Sequence, residues 1–189
     1  KDEYFEAAKI LRNDGINAWV NCPRRIWQEY KDIRELIKDK NNIHISATGA
    51  EWGMACNGIH IIDIASYLVG DSNYTINNSE LLTPLHEGKR RGFYEVFGSL
   101  AGKYRNGSSF SMTCVNGQPT ELNITIEATD IRISVAETNG LITISRPGLT
   151  SDQPLRPKYQ SELTHVYVEQ IIEYSNCSLT PYAESTMLH

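Results

Sequence analysis

Leu122-Asn123-Ile124-Thr125-Ile126-Glu127 alternates apolar and polar side chains, and Ile131-Arg132-Ile133-Ser134-Val135 repeats the alternation four residues later. A period of two sends successive side chains to opposite faces of a pleated strand, so each segment reads as a strand with one apolar face. Phe110, Met112 and Cys114 continue that face upstream. Within residues 93–146 three Asn-Gly dipeptides, at 106–107, 116–117 and 139–140, each stand between extended segments. A type I′ turn needs positive φ at both central residues, which makes Asn-Gly a strong hairpin signal. The pattern predicts an antiparallel meander with one face on a core. Its other face carries Ser109, Ser111, Thr113, Thr125 and Ser134 and few charges. Such a face is either solvated or docked on a second copy of the chain, and docking is the expectation here.

Outward from the meander the pattern changes. Residues 3–13 read as a helix stopped by Asn13-Asp14-Gly15, and residues 17–21 as a strand before the Pro23-Arg24-Arg25 corner. A helix with Tyr30, Ile33, Leu36 and Ile37 on one face follows, then a strand over 43–48 and a helix over 51–68. After the meander, Pro154–Pro157 reads as a linker and residues 159–174 as a helix. Thr180 is expected to cap a last short helix with Pro181 in its first turn. The expected fold is α+β, a mainly antiparallel open-faced sheet with helices packed on one face, formed by residues 1–189 as a single domain. Because the chain opens on Lys1 and closes on His189 inside helical patterns, it is expected to be excised from a longer protein.

Composition narrows the function. The 189 residues carry a net charge of −5 and no basic run, which argues against nucleic acid and anionic membrane as partners. No apolar run approaches the roughly 20 residues of a membrane helix. Cys22, Cys56, Cys114 and Cys177 are scattered, with no C-x-x-C pair, which argues against a metal site and fits reduced thiols in the cytoplasm. The Asn-x-Ser/Thr triplets at Asn73, Asn123 and Asn176 are read as chance. There is no G-x-G-x-x-G, no G-x-x-x-x-G-K-[ST] and no G-x-S-x-G.

The 51–68 helix is apolar almost all round, and Asn57, His60, Asp63 and Tyr67 break it at spacings of three, three and four. That spacing places them on one stripe. Buried polar groups need partners or a wet cleft, so the stripe is either a satisfied local network or an active-site wall.

Here the residues resemble a known family. Cys56-Asn57-Gly58-Ile59-His60-Ile61-Ile62-Asp63 is similar to the G-x-H-x-x-D helix of the Gfo/Idh/MocA oxidoreductases, in their C-terminal domain. Val20-Asn21-Cys22-Pro23-Arg24-Arg25-Ile26 resembles that family's N-R-R-F corner. Leu179-Thr180-Pro181-Tyr182-Ala183-Glu184-Ser185, with His189, resembles its closing L-P-x-Y-E-E-S…H helix. The resemblance covers nearly the whole chain and implies a C-terminal domain of the glyceraldehyde-3-phosphate-dehydrogenase-like type, with the N-terminal Rossmann domain absent. It also implies NAD or NADP bound mainly by that absent domain, and oxidation of a CH–OH group of a sugar, polyol or nucleotide sugar. A homodimer or tetramer through the sheet face is the implied assembly.

By the same resemblance His60 is the acid/base, helped in the family by an E-K-P lysine that lies before this chain. Asp63 would orient the imidazole or bind a substrate hydroxyl. Trp52 would offer an apolar platform, and Asn57, Asn21, Arg24 and Arg25 would hold polar or anionic substrate groups. Structural roles compete for each: a core tryptophan, a helix-start asparagine, solvated arginines. The position one turn before His60, an aspartate in many members, is Cys56 here. That substitution favours the rival reading, a non-catalytic sugar-binding or dimerisation module that kept the fold.

Overall fold

A computed structural model describes residues 2–88 and 90–189. In chain order, α1 (Asp2–Asn13) leads to β1 (Trp19–Val20), a 3-10 turn (Pro23–Ile26), α2 (Gln28–Ile37), β2 (His44–Ala50) and α3 (Met54–Val69). Nine strands follow: β3 (Tyr74–Leu81), β4 (His86–Glu87), β5 (Tyr94–Glu95), β6 (Gly98–Tyr104), β7 (Ser109–Val115), β8 (Asn123–Ala128), β9 (Ile131–Ala136), β10 (Leu141–Arg146) and β11 (Leu149–Pro154). The chain closes with α4 (Gln160–Tyr174), β12 (Thr180–Pro181) and α5 (Tyr182–Leu188).

Eight strands form one sheet in the order β11-β10-β9-β8-β2-β7-β6-β3. Every neighbouring pair is antiparallel except β2 and β7. The α+β expectation holds, and so does the alternation that predicted it. Ile124, Ile126, Ile133, Val135, Phe110, Met112 and Cys114 are all buried. Buried residues of α2 and α3 join them in one core, and α3 packs on β7. On the opposite face Ser111, Ser46, Thr125, Ser134 and Thr143 stand side by side across five strands.

Two of the three Asn-Gly turns are hairpins, β6–β7 and β9–β10. Asn116-Gly117 is not. It begins a connection that carries the chain from β7 past β2 to β8, because β2 has inserted between them. A hairpin signal is local, and it cannot see a strand arriving from the N-terminal half. The sequence reading also missed the edge strands β3 and β11, whose residues are nearly all exposed and so lack an apolar alternation.

Other expectations are corrected. Leu36 lies on the solvent side of α2, while Tyr30, Ile33 and Ile37 are buried. The 51–68 helix starts only at Met54, because Glu51 (φ 56°) and Gly53 (φ 75°) are left-handed. The 17–21 strand shrinks to β1, which pairs with β12 outside the main sheet. Thr180 is therefore a strand residue, and Pro181 stands at the N-cap of α5. The Pro154–Pro157 linker is pinned by buried Leu155, whose N–H donates to Gly140 O at 2.8 Å.

Gly102 on β6 lies opposite Phe110 on β7, and a Cβ there would sit 2.5 Å from Phe110 Cε1 and 2.7 Å from Cζ. Phe110 cannot retreat, since Tyr74 meets its ring edge-on at 5.2 Å and Tyr104 flanks it at 5.7 Å. Gly102→Ala is expected to cost about 1–3 kcal/mol of stability through overpacking. Thermal or denaturant melting of the variant checks this.

Candidate functional site

Beneath α3 lies the most heavily bonded group in the chain. Arg25, on the 3-10 turn, donates from Nε to Asp63 Oδ2 (2.9 Å) and from an Nη to Oδ1 (2.7 Å). The same Nη reaches Glu184 Oε1 on α5 at 2.7 Å. Thr180 Oγ1 donates to Asp63 Oδ1 at 2.6 Å. Arg25 and Asp63 are 6% and 1% exposed. Burial pushes the Asp63 carboxyl up, against the hydrogen bonds from Arg25 and Thr180. Alongside, Arg24 makes a two-pronged pair with Glu137 at 2.7 Å for each bond, and Tyr30 Oη donates to the same carboxylate at 2.6 Å.

Two arginines and an aspartate are thus engaged in internal ion pairs. Arg24 and Arg25 have their guanidinium groups engaged internally, so neither stands free at a substrate rim. Asp63 has both oxygens bound and makes no hydrogen bond to His60 among the described residues. Asn21 donates to Gln160 on α4. Tyr67 receives Arg34 over its ring at 4.3 Å and Arg25 at 5.4 Å. Of the striped residues, only His60 is left chemically idle. It is half-buried, its Nδ1 is buried without a partner, and burial followed by the Arg24 charge lowers its pKa below the ordinary value. Both effects favour the neutral imidazole, the form that can accept a proton.

The second feature is a cavity of about 520 Å³ at the N-terminal end of α3. Trp52, Cys56 and Asn57 form its floor, and a segment between β3 and β6 that brings in His86, Arg90, Phe93, Glu95 and Phe97 forms its other wall. The floor is held by a strained corner. Trp52 Nε1 donates to Thr113 O (2.9 Å), Asn57 Nδ2 to Trp52 O (2.8 Å), and Gly117 N to Glu51 Oε1 (3.2 Å). Left-handed backbone at a non-glycine residue persists only where the surroundings over-determine it, and such strain gathers at functional sites. Glu95 caps α3 by accepting Ala55 N–H at 3.0 Å. Its hydrogen bond with the Cys56 thiol, together with burial, raises the pKa of that thiol.

His60 does not line this cavity; it stands one turn further along α3. The structure thus brings Trp52 and Asn57 together and leaves Asn21, Arg24 and Arg25 elsewhere. The wall from 86 to 97 went unread, and only the aromatic pair Phe93-Tyr94 in a turn-rich stretch hinted at it. Among the described residues no group of three or more His, Cys, Asp or Glu could hold a metal. No helix there is long and apolar enough to cross a membrane. A dinucleotide pyrophosphate does not fit the start of α3, because the Glu95 carboxylate already accepts Ala55 N–H there and places a negative charge at the helix end.

No family model matches the sequence, and no curated protein does. Solved structures do match. Over 99% of its length the chain superposes on a UDP-N-acetylglucosamine 3-dehydrogenase from Acidithiobacillus ferrooxidans, with TM-score 0.71 and 11% identity, covering 62% of that protein. A 3-ketoreductase from Actinomadura kijaniata in complex with NADP gives 0.69 at 12% identity over 99% of this chain and 62% of the other. The super-repressor mutant of Gal80p from Saccharomyces cerevisiae gives 0.70 at 18% identity over 100% of this chain and 64% of the other. The chain shares its fold with these proteins and spans less than two thirds of their length.

Removing one partner of a buried ion pair strands the other charge, typically at about 3–5 kcal/mol. Arg25→Met is expected to destabilise by that order, since it leaves buried Asp63 only the Thr180 hydroxyl, and Asp63→Leu added to it to recover part of the loss. Denaturant unfolding of the single and double variants reads both.

Proposed function

We propose that this chain is the substrate-binding half of an NAD(P)-dependent oxidoreductase acting on a CH–OH group of a sugar, polyol or nucleotide sugar, in the cytoplasm. The observation that carries the reading is His60, whose buried Nδ1 has no hydrogen-bonding partner among the described residues, on a helix where Asn57 and Asp63 are bonded internally. The fold it shares with dehydrogenases and a ketoreductase supports the reading. When bound, the nicotinamide would supply the hydride acceptor or donor, and a further domain of the intact protein would hold it.

The chain's own part is proton handling and substrate placement. A secondary alcohol must lose its hydroxyl proton as hydride leaves carbon, and a neutral imidazole accepts that proton. Burial, and after it the Arg24 charge, lowers the His60 pKa, while Glu137 holds the Arg24 guanidinium in a two-pronged pair. Trp52 and Asn57 would place the ring. Asp63 is a positioning residue only, acting through Arg25 on the setting of α3. Copies of the chain would dock through the Ser/Thr face of the sheet as a homodimer or tetramer.

One observation favours the rival reading, a binding or dimerisation module without chemistry: the fold is shared equally with Gal80p, a repressor. The two readings part on His60. In the intact protein, His60→Ala is expected to lower kcat by about 10²–10⁴-fold, the usual worth of a general acid/base. The kcat/KM profile of the wild type should fall as pH drops and His60 takes up a proton, with its midpoint below about 6.5, since the pKa is lowered. An unchanged kcat would hand the protein to the module reading. The 189-residue chain alone is expected to show no turnover and no micromolar affinity for NADH by fluorescence titration.

A further inference from the structure

The three Asn-Gly pairs, at 106–107, 116–117 and 139–140, are chemically alike, and the fold treats them differently. An asparagine carries its side-chain carbonyl within reach of the next backbone nitrogen, and a glycine there puts no Cβ in the way. Closing that gap needs a side chain free to swing and a backbone with room for a five-membered ring. At the β6–β7 hairpin Asn106 is held by both side-chain atoms: Oδ1 accepts Ser108 N–H at 3.0 Å and Nδ2 donates to Val69 O at 3.4 Å. At the β9–β10 hairpin Asn139 Nδ2 donates to Glu121, whose carboxylate also accepts Asn139 N–H at 2.8 Å. A Cβ on Gly107 would lie 2.7 Å from Asn42 Oδ1, and one on Gly140 2.8 Å from Leu155 O, so both turns are closely packed. Asn116-Gly117, in the connection from β7 to β8, is open on each count. Asn116 is exposed, and its side chain makes no hydrogen bond among the described residues. A Cβ on Gly117 would meet nothing within 4 Å. The one restraint is Gly117 N–H, which donates at 3.2 Å to Glu51 Oε1, on a residue that is itself exposed.

We propose that Asn116-Gly117 is a self-modification site, where Asn116 deamidates through a cyclic imide while the fold preserves Asn106 and Asn139. The Gly117 nitrogen, its proton lost to hydroxide, forms a bond to Asn116 Cγ. The Cγ–Nδ2 bond breaks, and Nδ2 leaves as ammonia. Water then opens the imide at either carbonyl and gives aspartate or isoaspartate, with no change of oxidation state. The consequence falls on the cavity beside Trp52, which Asn116 lines. Either product places a carboxylate on that wall. The imide nitrogen has no hydrogen to give Glu51, and isoaspartate returns the N–H on a backbone one carbon longer. Glu51 begins the left-handed corner at Glu51 and Gly53 that forms the cavity floor, so the change loosens that corner. None of this depends on the reading of the chain as part of an oxidoreductase.

The test is peptide mapping by mass spectrometry of the folded 189-residue chain after incubation at mildly alkaline pH, with a denatured sample beside it. In the folded chain Asn116 is expected to convert at least about tenfold faster than Asn106 or Asn139, since each of those must first break its side-chain hydrogen bonds. In the denatured chain the three should convert at similar rates. The Asn116 rate should climb with pH, because the attacking nitrogen must lose its proton. Asn116→Gln, which would need a six-membered ring, should stop the reaction at this position. Conversion of Asn106 or Asn139 as fast as Asn116 in the folded chain would overturn the proposal. So would an Asn116 that stays intact when folded and converts only when denatured. Hydrogen–deuterium exchange over residues 51–55 reads the second consequence. It should be faster in the isoaspartate fraction than in Asn116→Asp, which adds the charge on a normal backbone, and equal exchange would sever the link to the corner.

Discussion

The Arg25–Asp63 pair is the constraint on which the rest depends. A guanidinium and a carboxylate, 6% and 1% exposed, meet through two parallel hydrogen bonds of 2.9 and 2.7 Å. Two buried charges are tolerable only when both are fully engaged, and here Thr180 and Glu184 supply the remaining bonds. Those four residues sit on the 3-10 turn, α3, β12 and α5. The pair therefore ties the two ends of the chain to its central helix and fixes how α3 is rotated about its own axis. That rotation decides which side chains of α3 reach solvent. With Asp63 turned inward, Asn57 and Cys56 are exposed and His60 is left half-buried.

Much of the architecture was legible because burial imposes a period. The alternations at 122–127 and 131–135 identified β8 and β9 with their inner and outer faces, and Tyr30, Ile33 and Ile37 identified the inner face of α2. What failed were the features that depend on partners far along the chain. The Asn116-Gly117 turn looked like its two neighbours and differs only because β2 occupies the slot beside β7. Arg24 and Glu137 are 113 positions apart, and nothing local distinguishes a solvated arginine from one clasped by a carboxylate on the far side of the sheet. The same limit concealed the cavity wall. Its aromatic residues have no period, and they matter only where the 86–97 segment folds back over α3. The resemblance to the oxidoreductase family pointed to this helix but could not show that both Asp63 oxygens are taken up by Arg25 and Thr180.

The cysteine one turn before His60 illustrates the difference between a position in sequence and a position in space. Read along the chain, Cys56 is a lost carboxylate. In the fold a carboxylate is nevertheless present at that turn, brought by Glu95 from β5 and bonded to Ala55 N–H and the Cys56 thiol. It does not act on His60, whose pKa responds to burial, Arg24 and Asp63. Glu95 belongs to the cavity, and the cavity does not include His60. The first turns of α3 thus differ in surroundings: the N-terminal turn faces the aromatic hollow, and the next turn holds an imidazole whose pKa is lowered by burial and then by Arg24. A carboxylate at residue 56 would stand beside the Glu95 carboxylate, whereas a thiol donates a hydrogen bond to it. In space the position is thus answered by Glu95, and Cys56 bears on the start of α3 rather than on the groups that shift His60.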